Sequence, residues 1–329
     1  DYSHNFIRFG KGSLGGKARG LAFANSIIIN NSFKKKYHKI KIRLPKTLVI
    51  GTSEFDDFMD KNKLWDFALS SSNNNLIEKK FLNASLSKTL IKFLKKIMKS
   101  TSSPLAIRSS GLLEDSQYKP LAGMYSTFML PNSHAKINER LNQLCESIKR
   151  IYASTFFKEP KSLMDSISQR YEEEKMAIII MELVGKNHND IFYPSISGVC
   201  QSYNYYPVSY MQRKDGVTFL ALGLGKTIAE GGKSLRYCPK YPNILSQFYS
   251  IKSTIDSSQH EFYALDMDKN KNPIQKGEDY NLKNYDLKIA ESDQELKYIG
   301  SVIPKNENMY INMAVIRLTI KKKRIFIMQ

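Results

Sequence analysis

Apolar positions along the first hundred residues switch between two periods. After Lys17, the residues Leu21, Phe23, Ala24, Ile27 and Ile28 recur at a spacing that predicts a helix. Thr47-Leu48-Val49-Ile50 is a continuous apolar run between Pro45 and Gly51, the pattern of a short buried strand. Thr52 or Ser53 stands where a cap is needed for a helix to about Leu69. Glu54 and Asp56 fall in its first turn, where the free N–H groups favour carboxylates. Ser70 to Asn75 is polar and reads as a loop, and Leu90, Phe93, Leu94 and Ile97 mark a helix across Leu86 to Met98 with lysines on its other face.

Leu105-Ala106-Ile107 predicts a strand that delivers Arg108, and Ala135 to Phe157 a long amphipathic helix through Ile137, Leu141, Leu144, Ile148, Ile151 and Tyr152. Met176 to Val184 is almost wholly apolar without helical polarity, which suits a central strand covered on both faces; Glu182 interrupts it. Ser195 to Tyr203 and Val217 to Leu224 read as strands of a mixed sheet. Beyond about residue 245 the pattern thins. Gln275 to Tyr285 predicts a loop, Met313 to Ile327 alternates like a strand with a basic cluster, and no internal repeat is visible.

With 329 residues, 42% of them hydrophobic and 25% charged, the chain can bury a substantial core and is long enough for two lobes. No apolar run approaches the roughly eighteen residues of a membrane span, and the first twenty residues lack a signal-like apolar segment, so a cytoplasmic protein without a membrane partner is expected. Cys145, Cys200 and Cys238 are widely spaced and odd in number, which predicts reduced, buried thiols instead of a disulfide framework or zinc site. The net charge of +19 favours polyanions and brings a nucleic-acid binder into consideration. Against it, the lysines are scattered (Lys34 to Lys36, Lys95-Lys96, Lys321 to Lys323) and few aromatic residues sit amid basic clusters, so the charge reads as solvated surface.

Candidate chemistry gathers in four places. Gly15-Gly16-Lys17-Ala18-Arg19-Gly20-Leu21 sets an ammonium after a glycine pair at the start of a helix, where N–H groups and the dipole would face an anion. A surface lysine after a turn is the plainer alternative. In Ala106-Ile107-Arg108-Ser109-Ser110, the Arg108 guanidinium can grip two phosphoryl oxygens and the serines add hydroxyl donors, although Arg108 could instead pair with Glu114 or Asp115 and pin a loop. Gly123-Met124-Tyr125-Ser126-Thr127 would let main-chain N–H groups approach oxygens closely, with Ser126 and Thr127 as further donors. Leu222-Gly223-Leu224-Gly225-Lys226-Thr227 invites a Walker A reading that fails, because the position needing the first glycine is Leu220.

Gly-Gly-Lys-Ala-x-Gly-Leu at 15–21, Ile-Arg-Ser-Ser at 107–110, Ala-Gly-Met-Tyr-Ser-Thr-Phe at 122–128 and Ser-Gly-Val at 197–199 resemble, in this order, the N-terminal nucleotide-binding domain of pyruvate phosphate dikinase and phosphoenolpyruvate synthase. The resemblance covers roughly residues 8 to 245. It implies an α/β (α+β), ATP-grasp-like fold of two lobes with mixed β-sheets, about 1–100 and 101–245, followed by a C-terminal extension, 246–329, whose abrupt end looks like a fragment boundary. ATP and Mg²⁺ are the implied ligands. Gly16, Lys17, Arg108, Ser109 and Ser110 would meet the phosphates, with Lys17 and Arg108 catalytic. Gly123, Met124, Ser126 and Thr127 would form a loop over them, and Met181, Glu182 and Val184 would lie at the adenine, apart from which the Glu182 carboxylate needs a partner.

The Gly-Leu-Gly-Lys stretch is similar to the family's Gly-Leu-Gly-Glu segment, whose glutamate helps hold magnesium. Here Lys226 takes that position, and an ammonium cannot ligate a hard cation. Glu230, one turn later, is the candidate replacement, or Lys226 assumes part of the metal's charge-neutralising role. The family's downstream glutamine and arginine have no clear counterpart around Arg236-Tyr237-Cys238-Pro239-Lys240. The implied activity is phosphotransfer from ATP to an acceptor histidine in another chain or a missing C-terminal region, because His4, His38, His134, His188 and His260 read as surface residues without a Thr-Ser-His-Ala-like context. The alternative is a non-catalytic ATP-binding regulatory module, which Lys226 favours; a basic nucleic-acid-binding protein comes third.

Overall fold

A computed structural model describes residues 5–31, 40, 42–111, 123–166, 174–268, 280–296, 299–302 and 314–316. The chain divides into two compact units, one built on Asp1–Leu183 and the other on Val184–Met267 with Leu282–Lys323. Strands from both sides of residue 100 share the first unit's sheet: β1 (Phe6–Phe9), β2 (Thr47–Ile50), β3 (Leu105–Gly111), β4 (Thr127–Leu130) and β5 (Met176–Glu182), in the order β1-β2-β5-β3-β4. β1 and β2 run parallel and every other pairing is antiparallel, so this sheet is mixed. β5 sits at its centre with its first six residues buried, as a continuous apolar run requires.

Alternation along the strands sorts side chains to two faces. Val49, Ile179 and Met181 pack with Ala18 and Leu21 of helix α1 (Gly15–Asn30). Leu48, Ile50, Leu105, Ile107, Ile178 and Ile180 join the opposite core with α2 (Thr52–Lys61), α3 (Trp65–Ser70), α4 (Asn74–Asn83), α5 (Lys88–Ser100) and α6 (Ile137–Ser154). That core centres on aromatic rings. Phe55 is fully buried, edge-on to Tyr152 at 5.1 Å and to Trp65 at 6.0 Å, and stacked with Phe156 at 6.2 Å. The last described helix of this unit, α7 (Lys158–Ser166), follows α6.

Several local expectations change. The helix expected from Thr52 to Leu69 breaks into α2 and α3, with Lys63 left-handed at φ 50° between them. Gly51 is the α2 cap residue and makes no side-chain bond. The Thr52 and Ser53 hydroxyls accept instead from the Ser13 and Lys11 N–H groups at 2.9 and 2.8 Å. Within the polar run Ser70 to Asn75, Asn73 caps α4, and Ser87 caps α5. On α1, Leu21 is buried but Phe23 is 67% exposed, because two helical steps carry a side chain about 200° around the axis.

The described part of the second unit holds three antiparallel sheets. β8 (Ser197–Gln201), β9 (Val217–Ala221) and β10 (Leu235–Tyr237) lie in the order β10-β9-β8. β6 (Lys186–His188), β7 (Ile191–Tyr193), β11 (Glu261–Asp266) and β12 (Leu282–Asp286) lie in the order β12-β11-β7-β6. The strands expected around 195–203 and 217–224 thus pair antiparallel with each other, not in a mixed sheet. β11 and β12, from the stretch read as an extension, complete the sheet of β6 and β7. β12 also replaces part of the loop expected over Gln275 to Tyr285; it is an edge strand with only Leu282 buried, so its composition looked like a loop. Tyr193, Leu222, Phe262 and Ala264 form the core, with α8 (Lys226–Ala229), α9 (Ile251–Ser257) and α10 (Leu287–Ser292) around the sheets. β13 (Gly300–Val302) pairs with β14 (Ala314–Ile316), the described part of the strand-like stretch Met313 to Ile327. Lys34 to Lys36 and Lys321 to Lys323 lie outside the described residues. No described helix is long and apolar enough to cross a membrane.

The cysteines are free, but Cys200 is exposed on β8 where a buried thiol was expected. Burial pushes Cys145 up to about 11 despite the opposing pull of Lys149. At pH 8 only about one Cys145 in a thousand is then thiolate. A disulfide-exchange reagent at that pH should modify Cys200 first and Cys145 only in denaturant; equal native rates would contradict the packing around α6. Phe55→Ala should cost about 3–5 kcal/mol in urea unfolding followed through Trp65, and a loss under about 1 kcal/mol would remove Phe55 from the core's centre.

Candidate functional site

The start of α1 is pressed against β3. Gly15 has φ +73°, and a Cβ there would lie 1.9 Å from the Ser110 carbonyl oxygen, so this approach admits only glycine. The buried Ser110 hydroxyl donates to the Leu14 carbonyl at 2.8 Å and accepts from the Ala18 N–H at 3.1 Å. One side chain thereby holds both ends of the first helical turn. Leu14, the cap residue, offers no side-chain acceptor, and the first turn itself holds no acid.

Arg108 precedes Ser110 by two residues and therefore shares its face of the sheet. The register sets Arg108 opposite Thr127 on β4 and Ile179 on β5, and Ile179 packs with Ala18 and Leu21. The beginning of α1 with Gly16 and Lys17, together with Arg108, Ser110 and Thr127, thus belongs to one side of one sheet. Ser109 does not join them. It registers with Ile178 on the opposite face and is fully buried. Glu114 and Asp115, the alternative partners of Arg108, lie outside the described residues.

Arg8 was not singled out from the sequence. It registers with Val49 on the α1 face, and its guanidinium donates to the Gly10 and Gly12 carbonyls at 3.1 and 2.7 Å. The Lys11 and Ser13 carbonyls accept in turn from the Ser53 and Thr52 N–H groups at 3.2 and 3.0 Å. The loop before α1 is therefore braced from both sides, by Arg8 and by the start of α2. An arginine inside a short apolar strand was the only available signal.

The other segments divide. Gly123 has φ +78° and open space where a Cβ would be. Met124 and Tyr125 pack into the core on the α6 side, the Tyr125 hydroxyl donates to the buried Glu174 carboxylate at 3.1 Å, and the Ser126 N–H donates to the Ser154 hydroxyl at 3.2 Å. Only Thr127 of this stretch shares the face of Arg108. At the end of β5, Met181 is buried on the α1 face, while the Glu182 carboxylate finds the partner its position demanded in the Thr101 hydroxyl, at 2.7 Å. Val184 begins the second unit.

In that unit Lys226 opens α8 with its ammonium 3.3 Å from Glu230 and 5.3 Å from the Tyr263 ring centre, and the Tyr263 hydroxyl donates to the second Glu230 oxygen at 3.2 Å. Both Glu230 oxygens are engaged, one of them by a fixed positive charge. This donor set does not fit Mg²⁺, which needs converging oxygens and would be repelled by the ammonium. Among the described residues no three His, Cys, Asp or Glu side chains converge as a metal requires. His188, expected at the surface, is instead half-buried, stacked on Tyr193 with ring centres 4.4 Å apart and 3.8 Å from both Asp293 and Glu295. His4 and His38 lie outside the described residues.

Fold and site together define an α+β protein of mixed and antiparallel sheets that sets a glycine-flanked helix start beside a strand-borne arginine. The sequence matches the family model described as pyruvate phosphate dikinase, AMP/ATP-binding domain, over residues 11–329. The chain belongs to this family, whose fold is ATP-grasp-like, and it is an ATP-binding domain of the dikinase type. The match extends well past the limit near residue 245 that the motifs implied. No curated protein matches the chain.

Gly123→Ala should cost about 1–2 kcal/mol for its backbone conformation alone. Gly15→Ala should cost more, since its Cβ also meets the Ser110 carbonyl. Urea unfolding of the two variants checks the order, and equal losses would show that α1 does not dock closely on β3.

Proposed function

We propose that this chain is the ATP-binding module of a dikinase-type phosphotransferase, with the triphosphate held on the α1 face of the first unit. The observation that carries the reading is the Ser110 hydroxyl, which fastens the first turn of α1 to β3 two residues from Arg108. The Lys17 ammonium and the N–H groups at the start of α1 bind phosphate oxygens, and the Arg108 guanidinium neutralises charge on the phosphoryl group as it leaves ADP. Arg8 keeps the preceding loop in shape. The Gly123 turn closes over the phosphates, Thr127 adds a hydroxyl, and the end of β5 at Met181 and Glu182 serves the adenine. The acceptor is a histidine supplied from outside this sequence. No step is assigned to a metal.

A second reading, a non-catalytic ATP-binding regulatory module, is favoured by one observation: the Lys226–Glu230 pair puts an ammonium where the resemblance calls for a magnesium carboxylate. ATP titration with and without Mg²⁺, paired with phosphate release and exchange, separates the two. Magnesium-indifferent binding without turnover supports regulation.

Lys17→Ala and Arg108→Ala should each weaken ATP binding about tenfold or more by calorimetry, the loss expected for one charged hydrogen bond. Ser109→Ala, on the far face, should leave affinity nearly unchanged. Affinities within twofold of the parent for both cation variants would defeat the assignment of the site.

A further inference from the structure

Of the ten exposed large hydrophobic side chains among the described residues, five fall within Val199–Tyr210, which makes this stretch the most concentrated exposed apolar surface among the described residues of the second unit. Tyr205, Tyr206 and Tyr210 are 66%, 77% and 64% exposed. The backbone beneath them is fixed. The Asn204 N–H donates to the Arg213 carbonyl at 2.7 Å, its side chain accepts from the Tyr206 N–H at 3.1 Å, and the Arg236 guanidinium donates to both the Asn204 side chain and the Tyr206 carbonyl. Aromatic rings held outward on a braced loop form a surface that is built, and such patches mark interaction sites.

Cations are interleaved with these rings, against the expectation that few aromatic residues sit amid basic clusters. Arg213 donates to the Tyr203 hydroxyl at 3.3 Å, Tyr203 meets Tyr205 edge-on at 4.8 Å, and Tyr210 meets Tyr241 edge-on at 5.0 Å beneath the Lys240 ammonium, 5.1 Å from the Tyr241 ring centre. At this end of the sheet the segments 202–216 and 238–241 carry Arg213, Lys214 and Lys240, and Arg236 reaches them from β10, against one acid, Asp215, a net of 4 − 1 = +3; Asp215 pairs with Lys240 at 3.0 Å. The sheet register explains the gathering. Gln201 pairs with Val217 and Thr218 with Tyr237, so the segments 202–216 and 238–241 leave the β10-β9-β8 sheet at the same end.

We propose that this face of the second unit binds single-stranded nucleic acid, with bases stacked on Tyr205, Tyr206 and Tyr210 and phosphates on the surrounding arginines and lysines. Unpaired bases present the flat faces that exposed rings stack on, and each ring accepts any base. A duplex hides those faces. An acidic polypeptide would answer the charge but leave the rings without partners. This activity is separate from ATP binding, which the proposal neither needs nor alters.

The test uses the full chain and a fluorescein-labelled twenty-nucleotide oligo(dT), followed by anisotropy, beside a duplex of equal length and polyglutamate. Tyr205→Ala/Tyr206→Ala/Tyr210→Ala should weaken single-strand binding about tenfold or more, whereas Lys95→Ala/Lys96→Ala on α5 should have a much smaller effect. Log affinity should fall with log salt at a slope of about −2 to −3, that of three or four neutralised phosphates. The replaced rings are exposed, so circular dichroism and ATP affinity should match the parent and certify the fold. Duplex binding as tight as single-strand binding, tyrosine variants that bind like the parent, or a tyrosine-dependent preference for polyglutamate would each overturn the proposal.

Discussion

The hydroxyl of Ser110 joins the carbonyl before α1 to an N–H inside its first turn, and the rest of the first unit is arranged to allow that contact. Gly15 contributes by having no side chain, since any Cβ would strike the Ser110 carbonyl. The central position of β5, covered on one face by α1 and on the other by an aromatic core, makes the sheet stiff enough to serve as a reference surface. A helix start held this closely can present N–H groups and Lys17 at a defined place relative to Arg108. Preorganisation of this kind is what the stabilisation of transferred charge requires, because donors already in place need no rearrangement when charge develops.

Braces of the same kind recur at several places where the described chain leaves regular structure. Arg8 holds the loop before α1, and the start of α2 holds it from the other side, which explains why the hydroxyls expected to cap that helix are turned to the loop. Thr101 satisfies Glu182 at the end of β5. Arg236 holds the tyrosine loop in the second unit. Arg8 braces its loop locally, whereas Thr52, Ser53, Thr101 and Arg236 reach their partners from distant parts of the chain.

Lys226 is where the chain departs most from what its resemblance implies. Its pairing with Glu230 beneath Tyr263 removes the oxygen ligands a divalent ion would need, yet leaves a positive charge at the head of α8. The head of α8 therefore offers an ammonium–carboxylate pair where the resemblance implies a carboxylate alone.

Much of the architecture could be read in one dimension. Strands β2, β3 and β5 and helices α1, α5 and α6 followed from apolar periodicity, because a strand buried on both faces and a helix buried along one stripe leave different spacings in the chain. The motifs around Lys17 and Arg108 were visible for a similar reason: glycines, cations and hydroxyls close together carry their meaning locally. The placement of side chains on faces was not available. That Ser110 points to α1 and Ser109 away from it, that Tyr210 meets Tyr241 across thirty residues, and that β11 and β12 complete a sheet begun at Lys186 depend on register between distant strands. Residue types alone determined the elements and the chemistry the chain could offer. Which groups share a surface was decided by tertiary pairing, since a shift of one residue along a strand sends every side chain to the opposite side.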